Sequence, residues 1–292
     1  MSSETAFEPP ALGSVAIRTR RRVTGRSILA VVALTAISVA VLGPILYTIV
    51  TALEPSPWAG YGPDTSVAFG SILAAWTYGL MPGSIVNSMI LSTAAVVVLW
   101  IVCSMAAYAF TLMRFPGREL LFLLVLATVM VPVQVIMFPL FIEYKDLGLL
   151  NSYHGMILAF VIFGIPLTTF QFAAYFKTLP REILDAARVD GASTLQTLFR
   201  VVLPMSKPIL AVTGIINFVW TWNDVLLPFL FLQDSELKPL VAQLAVVTGS
   251  QFASASTHVL AAIALLGFAP TVIVYLIAQR QIVRGITAGS VK

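Results

Sequence analysis

SILAVVALTAISVAVLGPILYTIVTAL, residues 27–53, contains no charged side chain. At about 1.5 Å of rise per residue, a helix of this length exceeds the roughly 30 Å hydrocarbon core of a bilayer. The stretch therefore reads as a membrane span, and the surrounding sequence agrees. Arg18, Arg20, Arg21, Arg22 and Arg26 precede it like the basic start of a signal peptide. The run is longer than a signal core of about 7 to 15 residues, so an uncleaved signal anchor is expected. Five more apolar runs follow, at approximately 85–112, 120–142, 156–176, 209–232 and 259–277. Of 292 residues, 59% are apolar and 10% charged, against about 25% charged in a soluble globular chain. That balance excludes a soluble domain. The expected fold is an all-α membrane protein with six transmembrane helices. Its domain covers 27–283, between a basic N-terminal segment at 1–26 and a tail at 284–292.

Six spans put both termini on one side. If that side is cytoplasmic, fifteen of the 17 lysines and arginines lie inside. These are the five before span one, then Arg114 and Arg118, then Lys177, Arg181, Arg188, Arg200 and Lys207, and finally Arg280, Arg284 and Lys292. Only Lys145 and Lys238 fall outside. The positive-inside bias supports this orientation and explains the net charge of +4 without a nucleic-acid partner. Cys103 is the one cysteine, which excludes an internal disulfide and a cysteine-based metal site. The outer segment 54–84 has no Lys or Arg and is broken by Pro55, Pro57, Gly60, Gly62, Pro63, Pro82 and Gly83. It reads as loop with short helical pieces, with Trp58, Trp76 and Tyr78 as interfacial anchors.

The inner loop, 177–208, is different in kind. Pro180 suits a helix start and Glu182 suits its positive end. Ile183, Ala186 and Ala187 share a face at helical spacing. Asp190-Gly191 offers turn chemistry, and Ser193 with Gln196 forms the sequence of a capping box. Leu195, Leu198, Phe199 and Val202 then give a narrow apolar stripe until Leu203-Pro204, where the pattern is expected to stop. The result is a helix-turn-helix whose apolar surface must cover either the protein's own membrane core or a partner. Tethered between two spans, it is too confined to read a DNA groove.

Asp185-Ala186-Ala187, three residues, Gly191, nine residues, then Val201-Val202-Leu203-Pro204 resembles the EAA motif, EAA-x3-G-x9-I-x-LP, of binding-protein-dependent ABC importer permeases. Asp185 stands for Glu and Val201 for Ile. More of the chain is similar to the shorter membrane subunit of maltose-type carbohydrate importers. Asn87-Ser88, Ala106-Ala107-Tyr108-Ala109-Phe110, Arg114-Phe115-Pro116-Gly117, Val131-Pro132, Gly148-Leu149-Leu150-Asn151, Trp222-Asn223-Asp224 and the tail from Arg284 to Lys292 carry this likeness. It runs from about residue 70 to the C-terminus. The resemblance implies a permease subunit in a bacterial inner membrane, paired with a homologous second permease, two cytoplasmic ATPase subunits and an extracytoplasmic solute-binding protein. It implies that Glu182, Asp185, Ala186, Ala187, Asp190, Gly191, Ala192, Leu203 and Pro204 couple the chain to the ATPase. It also implies that the tail, through Arg284, Gly285, Thr287, Gly289 and Lys292, reaches that ATPase. A solvated basic tail is the alternative.

Several chemistries are missing from the sequence. No G-x-x-x-x-G-K-[ST] occurs, so no Walker-type phosphate cradle is present. ATP and Mg would bind the partner ATPase, and no cofactor or metal is expected in this chain. Neither H-E-x-x-H nor G-x-S-x-G appears, which disfavours a membrane enzyme. A single clear intramembrane carboxylate, Asp224, disfavours an ion-coupled carrier. Asp224 fits either a helix-end residue paired with backbone groups or a contact with solute or the second permease, and Trp220, Trp222 and Asn223 share that choice. Pro132 and Pro139 flank Gln134 and are expected to kink span three, either to line a pathway or for purely structural reasons. The expected cargo is a carbohydrate, with a polyol phosphate or an osmolyte as the alternative.

Overall fold

A long apolar segment in a bilayer has no solvent to satisfy its backbone N–H and C=O groups, so it closes them internally as a helix. The computed structural model, which describes residues 25–54, 69–78, 81–248 and 257–288, is helical through most of that length and has no strand among them. Contacts group the chain into two units, residues 1–47 and 48–292. The first contains most of α1 (Gly25–Leu53), with apolar side chains exposed from Ile28 to Tyr47.

The second unit takes in the end of α1, then α2 (Gly70–Tyr78), α3 (Met81–Leu112) and α4 (Arg118–Ala127), which runs into a 3-10 turn at Thr128–Met130. There follow α5 (Val133–Asp146), α6 (Tyr153–Phe176), α7 (Arg181–Val189), α8 (Thr194–Thr197), a π-helical turn (Leu198–Val202) and α9 (Leu203–Met205). The chain ends in α10 (Lys207–Asn223), α11 (Leu226–Phe231), α12 (Leu240–Thr248) and α13 (Thr257–Ala288).

Helix α3 is the hub because its buried residues recur every fourth position. Leu91, Ala95, Leu99, Cys103 and Ala107 are all buried, whereas Val97, Ile101 and Met105 on the other side are exposed. A stripe of this spacing lies on one face of a helix. It packs along α6, whose Met156, Phe160, Phe172 and Phe176 are wholly buried. Helix α10 crosses both. Gly214 permits the crossing, since a Cβ there would stand 2.5 Å from the Trp100 ring. Some buried polar groups in this layer pair with one another, which offsets the cost of their burial, whereas Ser92 Oγ, Thr169 Oγ1 and Trp222 Nε1 are buried without a hydrogen-bond partner among the described residues. Trp100 Nε1 donates to Thr213 Oγ1 at 3.2 Å, and Asn217 Nδ2 donates to Thr168 Oγ1 at 3.0 Å and to the Thr213 carbonyl at 2.8 Å.

Among the described residues, four helical stretches are long and apolar enough to cross a membrane: Ile28–Leu53, Pro82–Leu112, Tyr153–Phe176 and Thr257–Leu276. Up to two further candidate spans take the form of bent helix pairs. Arg118–Met130 and Val133–Asp146 meet at 100°, and Thr194–Met205 and Lys207–Asn223 at 80°. The continuous third span expected at 120–142 is thus corrected. The chain breaks at Val131, which is extended (φ −87, ψ 119), because a residue before proline is pushed out of the α region. Pro139, by contrast, lies inside α5. The fifth span is corrected as well. Helix α10 ends at Asn223, Asp224 is extended (φ −72, ψ 131), and α11 begins at Leu226. Nor does Leu203-Pro204 stop the second loop helix. Pro204 lies within the last turn of the continuous helix Thr194–Met205, directly after the π-helical turn, and the break comes at Ser206.

Candidate functional site

The segment between α6 and α10 is a helix-turn-helix with well-formed ends. Pro180 precedes α7, Glu182 lies in its first turn and Arg188 in its last, so both charges oppose the helix dipole favourably. The helix closes through a Schellman pattern. Gly191 N–H donates to the Arg188 carbonyl at 3.0 Å and Ala192 N–H to the Ala187 carbonyl at 3.0 Å. Gly191 takes φ +79, the left-handed conformation this closure requires and glycine adopts freely. Ser193 and Gln196 then form a reciprocal capping box.

The structure buries part of this loop against the bundle and leaves the rest exposed. Leu184, Leu198 and Val202 turn inward into a cluster with Leu99, Cys103 and Phe172, and Ala187 is buried as well. Leu184 is the anchor of α7 and was absent from the expected face. Its partners lie on α3 and α6, so no spacing within the loop could single it out. Ile183, Ala186, Val189, Leu195 and Phe199 remain exposed. The expected face of Ile183, Ala186 and Ala187 is therefore split, with Ala187 inward and the others outward. Glu182, Asp185, Asp190, Gly191 and Pro204 are exposed, and Ala192 and Leu203 half-buried. Asp185 and Arg188 pair at 3.1 Å on the surface, a contact worth about 0.3–0.5 kcal/mol. Beside the loop, a cavity of about 700 Å³ opens between the end of α3 and α7, lined in part by Arg114, Arg118, Arg181, Asp185 and Arg188.

The opposite end of the bundle is held by amide side chains. Asn87 Nδ2 donates to the carbonyls of Glu236 at 2.6 Å and Lys238 at 3.1 Å, while Tyr153 donates to Asn87 Oδ1 at 2.7 Å. Asn151, at φ +54, accepts from the backbone N–H of Gln233 and Asp234, each at 3.0 Å. The Asn87-Ser88 and Gly148-to-Asn151 stretches thus fasten the segment that follows α11. Lys238 is buried with them; desolvation pushes its ammonium below the usual lysine range, partly opposed by the nearby Asp234 carboxylate.

The candidate pathway residues do not share one surface. Trp222 is buried at 1% exposure and stacks on Phe218 with ring centroids 5.4 Å apart. Trp220 is half-buried and meets Phe160 edge-on at 5.8 Å. Asn223 and Gln134 are exposed. Asn223 Nδ2 donates to the Val219 carbonyl at 2.7 Å. Asp224 Oδ2 accepts from Leu227 N–H at 3.2 Å, as a carboxylate at a helix start does. Helix α13 continues as far as Ala288, so the backbone at Arg284, Gly285 and Thr287 is helical. Gly289 and Lys292 lie outside the described residues, as does Trp58. No group of three or more His, Cys, Asp or Glu side chains that could hold a metal occurs among the described residues.

Residues 101–288 match the family described as binding-protein-dependent transport system inner membrane component. The chain is 36% identical over 213 residues to the osmoprotective compounds uptake permease protein GgtD of Synechocystis sp., covering 73% of this chain and 71% of that one. It is 32% identical over 222 residues to the diacetylchitobiose uptake system permease protein NgcG of Streptomyces coelicolor, covering 76% and 74%. Its fold matches a chain in the crystal structure of a bacterial ABC transporter involved in the import of the acidic polysaccharide alginate. That match has TM-score 0.75 and 25% identity, and covers 89% of this chain and 97% of the other. The apolar bundle, the helix-turn-helix between α6 and α10 and these likenesses agree: the chain belongs to the family of inner membrane components of binding-protein-dependent transport systems.

Proposed function

We propose that this chain is a permease subunit of an ATP-driven carbohydrate importer in a bacterial inner membrane, with both termini in the cytoplasm. The observation that carries this reading is the divided loop at 177–208. Its inward residues tie it to α3 and α6, and its outward residues, Glu182, Ile183, Ala186, Val189 and Asp190, offer a mixed apolar and acidic face to a partner. Such a face suits a helix-in-groove contact, and we assign it to a cytoplasmic ATPase subunit. Gly191 sets the angle between α7 and α8, so closure of the ATPase pair would be transmitted through α6 and α10, the helices that enter and leave the loop.

ATP and Mg bind on two such ATPase subunits, not on this chain. A homologous second permease completes the pathway, an extracytoplasmic binding protein delivers solute, and the tail through Lys292 contacts the ATPase. Exposed Gln134 and Asn223 are available to the pathway or to the second permease; Trp222 acts from the core. A carbohydrate cargo is supported by the diacetylchitobiose and alginate systems among the similar proteins. An osmoprotective solute is the second reading, supported by the likeness to the Synechocystis permease. The test is uptake by the reconstituted complex of a panel holding both solute types. Uptake that needs the ATPase, is blocked by vanadate and persists with proton uncouplers at fixed ATP is expected; uptake that collapses with the proton gradient would refute the proposal.

A further inference from the structure

Helix α7 has two faces with different chemistry. Arg181, Leu184, Asp185 and Arg188 fall at i, i+3, i+4 and i+7, one face of a helix, and all four line the cavity of about 700 Å³ beside the loop. The outward face, with Ile183, Ala186 and Val189, is the one assigned to the ATPase above, which leaves the cavity face to another ligand.

Charge defines that ligand. The ionisable residues of the cavity are Arg114, Arg118, Arg181 and Arg188 with one acid, Asp185, so its lining carries a net +3. Asp185 is already engaged by Arg188. Arg118 reaches the Met113 carbonyl at 3.0 Å and Glu119 at 3.7 Å. Arg114 and Arg181 make no hydrogen bond or ion pair among the described residues. Guanidinium groups gathered in a concave site repel one another unless an anion joins them, and their planar forks match phosphate oxygens. Thr194 adds a hydroxyl to the lining.

The neighbourhood is apolar on one side. Arg118 and Arg181 also line a second cavity of about 460 Å³, whose walls join Phe110, Phe122, Phe176 and Leu179 to Lys177 and one acid, Glu119, which Arg118 already faces at 3.7 Å. From there α4 presents exposed Leu120, Leu121, Leu123 and Leu124. A headgroup phosphate at the arginines with acyl chains along this wall would satisfy both surfaces.

We propose that Arg114, Arg118 and Arg181 form a receptor for a phosphate group, carried by an anionic phospholipid or by a soluble phosphate, which links the end of α3 to α7. The two segments belong to different parts of the bundle, so an occupant shared between them stiffens the loop that Gly191 articulates. That the site faces the inner leaflet and cytoplasm rests on the orientation proposed above.

The complete complex is placed in phosphatidylcholine nanodiscs with and without phosphatidylglycerol, and lipid retained after delipidation is counted by native mass spectrometry. Inorganic phosphate is titrated in parallel. R114Q/R181Q tests the charge, and R114K/R181K, which keeps charge but loses the fork, tests the geometry. Binding weakened about tenfold or more in the glutamine pair, and less in the lysine pair, supports the receptor. Retained phosphatidylglycerol identifies a lipid occupant; saturable binding of inorganic phosphate without lipid retention identifies a soluble one. Intact assembly with no difference between wild type and either pair overturns the proposal. So does a cross-link from R114C to an acidic segment of the ATPase. Maleimide labelling of S193C in intact and permeabilised cells reports orientation separately, so a reversed topology is not mistaken for an empty site.

Discussion

Replacing Gly191 with valine tests the coupling role through backbone conformation alone. The residue holds φ +79, and a Cβ built there would meet nothing within 4 Å. A side chain therefore costs no clash with this chain, only the strain of the left-handed region, about 1–2 kcal/mol for an L-residue and more when it is β-branched. At roughly 1.4 kcal/mol per tenfold, the turn's population relative to opened forms falls by about 5- to 30-fold. The two Schellman hydrogen bonds oppose opening, each with a net worth of about 1 kcal/mol. Loss is thus graded by side chain: G191N, which tolerates this region best, then G191A, then G191V. Solute-stimulated ATP hydrolysis of the reconstituted complex is the readout, with membrane abundance as the control for insertion. We expect near-normal stimulation in G191N and none in G191V. Full stimulation in G191V would remove the turn from the coupling mechanism. Loss in G191N as severe as in G191V would show that space beside a partner, not φ, selects glycine.

Four further outcomes are expected. G214A forces a methyl to within 2.5 Å of the Trp100 ring, and overpacking of this kind costs about 1–3 kcal/mol; thermal unfolding of the purified complex should show a lowered midpoint. N151A removes the acceptor of two backbone amides, each bond worth about 0.5–1.5 kcal/mol, so amide exchange at Gln233 and Asp234 should quicken by about two- to tenfold. In a C103A background, S235C should label with an impermeant maleimide in intact cells and S193C only after permeabilisation; the reverse pattern would overturn the orientation. Removing residues 287–292 leaves the helix-turn-helix in place, so a docked tail predicts normal abundance with an altered ATPase rate, whereas unchanged basal and stimulated hydrolysis would leave the tail as a topology determinant.

What the sequence determined by itself is everything fixed over a few turns of one segment. Charge-free apolar runs dictate helices because lipid offers the backbone no partners. The turn at Gly191 and the cap at Ser193 follow from hydrogen bonds between residues three to five apart. The spacing from Asp185 to Pro204 made the family legible for the same reason: it is a local pattern. The tertiary structure alone decided which faces are used. Pro132 and Pro139 look equivalent in sequence, yet one ends a helix and the other lies inside α5. Leu195 and Leu198 share a stripe, yet one is exposed and the other buried, because burial depends on where α3 and α6 lie. Trp222 and Asn223 are adjacent, yet one enters the core and the other faces outward. Arg114 and Arg181 stand 67 positions apart in the sequence; only the tertiary fold brings them to one cavity, because long-range contacts leave no periodic trace in either segment.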